Sequence, residues 1–402
     1  MTWRVLLCAV TVLLGQIPAE RLQRMRLAEA NPIPGSTQLQ AVRSDRITRA
    51  LRSPDDLWAF VTSAEPMYLE RRAAAYQAKG LVPVTWLPKI WRAIGELRRE
   101  QAASEFLLKS HPISATVYMP QGPRREGPRS ILGHTWTPPA QPIDYPLTPR
   151  ERERAPWPWQ VQQALNDLTG GLVPSTYSPL EREKADAYLA AVLTMPCATD
   201  EEATWLISAV QSSSHHKTPA IMATLLNIAL NPRLPLAAVQ VGTTYADATR
   251  LWNDPRAWDL GAAGLLEILR NSPHIEGRRT AAYSAKSLRE RFADGRTTSR
   301  PLPAAVLLEM SRLALDPAAG NEWTRLYVYA LSVVEALDEK PFLPQRGMDP
   351  ASPDVQRRLK DFAAWFAEHR RELDALAAAQ HPAIDAAQRI LAQTTTCRAG
   401  SP

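Results

Sequence analysis

Two adjacent histidines, His215 and His216, are the most chemically suggestive residues of this chain. They stand in Ser212-Ser213-Ser214-His215-His216-Lys217, a polar stretch that reads as a loop between helices. Imidazoles so placed can ligate zinc, but a zinc site needs three or four ligands, and no third ligand stands at a telling spacing. His215 and His216 are therefore weak metal candidates, and the expectation is that the protein carries no metal and no cofactor. His369 and Glu372 share a helix face at i, i+3, with His381 downstream, a spacing that a charged surface helix also produces. No His-Glu-x-x-His, Gly-x-Ser-x-Gly, phosphate loop or dinucleotide glycine signature occurs. Gly261 and Gly264 fall within a helical stretch and read as points of close packing. Cys197 follows a helix-ending Pro196 and reads as structural. No catalytic residue is assigned.

Aromatic and cationic residues offer a different chemistry. Trp252, Trp258 and Trp323 lie at junctions between apolar helical stretches, with Arg278 and Arg325 on the helices that follow. Packing between helices explains such tryptophans. The alternative is an exposed aromatic row, since Trp and Arg dominate the energy of many binding surfaces. These five residues are the binding candidates.

The elements that must position them repeat. Leu225-Leu226-Asn227-Ile228-Ala229-Leu230-Asn231-Pro232 is an apolar helix that runs into a proline. Leu265 to Pro273 and Leu307 to Pro317 do the same, 41 and 44 residues further on in turn. Beyond each proline a second helix is expected, at about Pro235 to Asn253, Glu276 to Ala293 and Glu322 to Leu337. A period in this range marks stacked helix pairs. Thr199 is placed to form a capping box with Glu202 at the helix before them. The last helix, about Pro353 to Ala379, sets many charges beside Phe362, Trp365, Phe366 and Leu373, the pattern of an element that closes the open end of a stack. Ala383 to Ala392 would add a further turn set.

Upstream, Ser53-Pro54-Asp55-Asp56 is a strong helix start: a capping serine, proline at the first helical position, then acids at the positive end of the helix dipole. Helices follow at about Met67 to Ala78 and Trp86 to Leu108. Residues 111–158 hold eleven prolines and read as extended or irregular, with Ile113 to Met119 as the one β-type run. Trp136, Tyr145, Trp157 and Trp159 argue that parts of this segment pack on the helices rather than float free. Helical signals resume at Trp159, with Val161 to Leu168 a short helix.

The repeats resemble HEAT or armadillo-type units. The resemblance rests on the Leu-Leu…Pro descents ending at Pro232, Pro273 and Pro317, and on Arg71-Arg72-Ala73-Ala74-Ala75-Tyr76 and Arg278-Arg279-Thr280-Ala281-Ala282-Tyr283. It covers roughly Thr199 to Leu337. The aspartate and valine-arginine pattern of such inter-helix turns is largely absent, and the subfamily is not identified. The resemblance implies an all-α, α-solenoid fold whose surface binds or scaffolds, with no shared catalytic residues. The expected organisation is a leader over 1–19, a linker over 20–52, a helical region over 53–110, a proline-rich insert over 111–158, HEAT-like repeats over 159–340 and capping helices with a tail over 341–402.

The remaining signals concern location and partners. Arg4, the apolar run Val5 to Gly15 and Ile17-Pro18-Ala19 read as a secretory leader cleaved near Ala19, which predicts a periplasmic or secreted protein. No later stretch reaches membrane-spanning length without charges. A net charge of +6, with cations alternating with acids as in Arg150-Glu151-Arg152-Glu153-Arg154, fits a solvated surface rather than a nucleic-acid face. Cys197 and Cys397 lie 200 residues apart, and repeats touch only their neighbours, so two free thiols are expected unless the tail folds back. The expected function is a non-enzymatic surface for a protein or cell-envelope polymer. The alternatives are an exported metal-dependent hydrolase on a helical fold and a cytoplasmic scaffold with an uncleaved apolar N-terminus.

Overall fold

A computed structural model describes residues 35–78, 80–104, 127–139, 147–173, 182–212, 218–250, 256–285, 290–293, 296–299, 302–337 and 352–398, with Gln23 and Arg26. The expected leader, the Ile113 to Met119 run, His215, His216 and Trp252 lie outside these residues. Among the described residues the protein is all-α apart from two short antiparallel hairpins, and the chain divides into two compact units, Met1–Leu172 and Val173–Pro402. No described helix is long and apolar enough to cross a membrane.

The first unit contains α1 (Ser36–Ala41), α2 (Asp45–Ala50), α3 (Pro54–Thr62), α4 (Tyr68–Gln77), α5 (Leu87–Ser104), hairpin β1–β2 (Arg129–Ile131, His134–Trp136), α6 (Pro149–Glu153) and α7 (Trp157–Leu172). Ser53 caps α3 as expected, accepting from the Asp56 backbone at 3.1 Å. Helix α7 packs on α4 and α5. It is the last helix of this unit, which ends at Leu172. Part of the proline-rich stretch is regular. Leu132 and Gly133 at the hairpin tip have φ of +50° and +81°, and the Leu132 amide donates to Glu96 at 2.9 Å. Pro149 and Pro158 sit in the first turns of α6 and α7, where a missing N–H costs nothing. The Trp157 indole donates to the carbonyls of Thr62 and Ser63, at 3.0 and 2.8 Å.

Arg71 and Arg72 hold this unit from inside. Arg71 is 1% exposed, and its guanidinium donates to the carbonyls of Val61, Ser63 and Pro66, so it satisfies the C-terminal end of α3 and the turn beyond. Burial, with a smaller contribution from the charge of Arg46, lowers its pKa to about 10. Arg72 forks onto Asp167 of α7 with two hydrogen bonds, at 2.6 and 2.7 Å.

The second unit contains α8 (Arg182–Leu193), α9 (Asp200–Ser212), α10 (Pro219–Leu230), α11 (Pro235–Arg250), α12 (Ala257–Asn271), α13 (Ile275–Ser284), hairpin β3–β4 (Glu290–Ala293, Arg296–Ser299) and α14 (Ala304–Leu315). A continuous helical run, α15, follows as Glu322–Thr324, a π-helical stretch Arg325–Ala330, and Leu331–Ala336; the last helix is α16 (Pro353–Leu391). Helices α8, α10, α12 and α14 pack in sequence along one layer, and α9, α11, α13 and α15 along a second. Leu225, Leu265 and Leu307 are buried in the first layer, as the descents require.

One local device recurs at the three proline turns. Asn231, Ser272 and Asp316 end their helices in extended conformation, the geometry that a following proline imposes. Each side-chain oxygen then accepts from the backbone two residues on: Arg233 at 3.0 Å, His274 at 3.3 Å and Ala318 at 2.9 Å. The proline removes a donor that would otherwise need a partner, and the polar side chain turns the chain into the next helix.

The second layer is parallel and close. Asp200 at the start of α9 accepts from the Ala237 amide at the start of α11, at 2.9 Å. A Cβ added at Gly242 would stand 2.8 Å from the Ala281 nitrogen, and one at Gly277 3.4 Å from Ala238 Cβ, so two glycines let α11 and α13 meet backbone to backbone. Gly264 of α12 makes room for Tyr245 of α11: a Cβ there would lie 1.8 Å from the hydroxyl, which donates to the Leu260 carbonyl.

Three expectations are corrected here. First, the helix expected over Glu276 to Ala293 stops at Ser284 and a hairpin follows, with Ala293 paired to Arg296. Asp294-Gly295 between those strands is a strong two-residue hairpin signal that outweighs the helical pattern around it. Second, α16 does not stop at Ala379. It runs for 39 residues through Pro382, about 58 Å at 1.5 Å per residue, and lies along α14, α12 and α10. Its seam of Val355, Leu359, Phe362, Phe366, Leu373, Ile384 and Leu391 is buried on those helices, while Ala378, whose carbonyl Pro382 leaves without its helical donor, faces solvent. Third, Cys197 and Cys397 form a disulfide. The long helix returns the tail to the start of the stack, where Asn227 donates to the carbonyls of Thr394 and Thr396, both at 2.9 Å.

Candidate binding surface

In the second layer α11 and α13 run parallel, and α15 packs against α13. Leu236 opens α11 and is 61% exposed; Ile275 opens α13 and is 44% exposed. Trp323, half-buried, stands in the first turn of α15. Asn321 caps that helix, accepting from the Thr324 amide at 2.8 Å. One turn on, the Tyr327 ring lies 3.6 Å from the Trp323 ring, centroid to centroid, and braces it. An apolar side chain thus stands in the first turn of each of these three helices.

Arg278 stands on α13 one turn behind Ile275 and is half-buried. Its Nε and the hydroxyl of Tyr329 on α15 are both buried, and neither makes a hydrogen bond among the described residues. Burial pushes the Tyr329 phenol up, and the nearby Arg278 charge pulls it part of the way back. Arg279 is already engaged, paired with Glu276 at 2.5 Å. Tyr329 is fully buried, so Arg278 is the member of this pair that reaches the surface of the junction of α13 and α15.

Of the five residues singled out in the sequence, the four described do not converge. Arg278 and Trp323 belong to α13 and α15. Arg325 turns inward: its Nε donates to the Ala314 carbonyl at 2.9 Å and its Nη2 to Leu315 at 3.2 Å, closing the end of α14. That is the work Arg71 does in the first unit. The matched Arg-Arg-x-Ala-Ala-Tyr segments thus have different roles, and the functional parallel of Arg71 is Arg325. Trp258 is half-buried on α12, in the other layer. Trp252 lies outside the described residues. Sequence reasoning missed Leu236, Ile275 and Tyr327. Leu236 and Ile275 carried a signal, an apolar residue in the first turn of a second helix, whereas Tyr327 lies a turn further on.

The histidines on α16 make contacts within their own helix. The His369 ring lies 4.5 Å from that of Trp365 and contacts its carbonyl at 2.9 Å, and His381 pairs with Asp385 at 3.0 Å. Among the described residues, no group of three or more His, Cys, Asp and Glu side chains could hold a metal ion. Comparison with protein-family models, with curated proteins and with solved structures finds no match for this chain.

Proposed function

We propose that the second unit is a HEAT-like helical-repeat scaffold, exported from the cytoplasm, that binds a protein or cell-envelope partner along the edge formed by α11, α13 and α15. The observation that carries this reading is an apolar residue in the first turn of each of α11, α13 and α15, namely Leu236, Ile275 and Trp323, two of them well exposed. A repeated exposed apolar position is what an extended surface uses to follow an extended partner. The half-buried Arg278 guanidinium beside it would bond carbonyl or carboxylate groups of such a partner. The Cys197–Cys397 bond supports an oxidising compartment, because cytosolic reductants keep thiols free.

The test is capture from native envelope by wild-type protein and by a Leu236→Asp, Ile275→Asp, Trp323→Ala variant with unchanged helical content. A partner retained by the first and lost by the second is the expected result. Equal retention by both refutes this surface.

A further inference from the structure

We propose that the first unit carries a binding site for a trimethylammonium group, at the corner between Trp58 and Trp86. Trp58 lies on α3, and Trp86 ends the short 3₁₀ turn Val84–Trp86 just before α5. Their rings stand 5.8 Å apart at 88°, two walls of a right-angled corner. A cation already occupies it: Lys89 Nζ lies 4.1 Å from the Trp58 centroid and 4.0 Å from the Trp86 centroid. Those distances put Nζ at equal depth between the faces, with the two contacts close to perpendicular. Both indoles are half-buried, while Lys89 is exposed. Its ammonium contacts the two rings and pairs with no carboxylate among the described residues.

The corner suits a quaternary cation better than a primary one. An indole face attracts positive charge through its quadrupole, and it offers no hydrogen-bond acceptor. A lysine ammonium is strongly hydrated and carries three donors, which the rings cannot satisfy. A trimethylammonium group has no N–H to lose, and its methyl groups bury against both faces. Asp55, exposed one turn before Trp58, adds a negative charge at helical i, i+3 spacing. Lys89 is then a tethered, displaceable occupant. Trp58 and Trp86 belong to different elements, so small side-chain adjustments can widen the corner for the methyl groups. The ligand chemistry is that of choline or a betaine, free or as a lipid headgroup.

Full-length protein would be titrated with tetramethylammonium, choline and glycine betaine, following the indole N–H signals of Trp58 and Trp86 by NMR, assigned with Trp58→Phe and Trp86→Phe. Saturable shifts confined to these two indoles are expected. Lys89→Ala should tighten binding about tenfold by removing the tethered competitor, and Lys89→Arg should leave it weak. Trp58→Leu should abolish the effect at Trp86. Phosphatidylcholine vesicles that sediment the Lys89→Ala protein would assign a lipid source; shifts with choline but no sedimentation would assign a free one. If Lys89→Ala shows no saturable shift with any of the three ions in the millimolar range, the proposal is wrong. Equal responses to tetramethylammonium and ammonium chloride would also overturn it.

Discussion

Removing the disulfide is the sharpest test of how the second unit is held together. The bond joins residues 200 apart, so breaking it frees a very long loop in the unfolded chain. Chain entropy puts the stabilisation from closing a loop of this length at about 5 kcal/mol, and native disulfides commonly deliver about 2–4 kcal/mol. The tail is also held by Asn227, through two carbonyl contacts at 2.9 Å, and by the buried Ile384, Ala387 and Leu391 of α16. Those contacts remain in a Cys197→Ser, Cys397→Ser variant, so the fold should survive with a weakened unit. For a domain of this size each kcal/mol corresponds to roughly 2–4 °C, which predicts a fall in Tm of roughly 5–15 °C. The assay is thermal unfolding followed by circular dichroism, for wild type with and without reductant and for the double serine variant. Mass spectrometry after alkylation of unreduced, unfolded wild type should show Cys197 and Cys397 unmodified. Hydrogen exchange should place the loss of protection first in the last turns of α16. Alkylation of both cysteines in unreduced protein, or identical melting of all three samples, would refute the argument that the tail is covalently anchored.

Other outcomes follow from single contacts. Gly264→Ala puts a methyl group 1.8 Å from the Tyr245 hydroxyl and should cost about 1–3 kcal/mol in urea unfolding, with Tyr245→Phe recovering part of the loss. Arg71→Met leaves the carbonyls of Val61, Ser63 and Pro66 without donors and should destabilise the first unit by roughly 3 kcal/mol or more, measured by thermal melting; Arg278→Met, at the matched sequence position, should change stability by less than half of that. Asn227→Ala should lower stability by about 1–2 kcal/mol in the oxidised protein, read by urea unfolding. N-terminal sequencing of protein from its native host should begin near Glu20, and an intact Met1 on the folded cytosolic protein would defeat export.

Helices were legible in this sequence wherever a local rule was strong enough. Ser53, Thr199 with Glu202, and the residues before Pro232, Pro273 and Pro317 act within a few positions of themselves, so their roles can be read from neighbours alone. Burial of Leu225, Leu265 and Leu307 follows from apolar periodicity in the same way. The surface was legible only in part. Arg278 and Arg325 are alike in sequence setting, and yet one lies beside an open edge while the other closes a helix end. That difference depends on which carbonyls another helix brings within reach.

What the sequence by itself determined is most of the helices, the starts and stops that a cap or a turn-forming proline marks, and the burial of the apolar descents. Each of these depends on dihedral preferences, short-range hydrogen bonds or apolar periodicity. Tertiary structure alone decided the rest: the course of α16 along α14, α12 and α10, the meeting of Cys197 with Cys397, and the corner of Trp58 and Trp86 around Lys89. Each joins residues from elements that local rules treat as independent. Their meeting is fixed by where the buried face of one helix finds a complementary face on another, and that is a property of the packed chain.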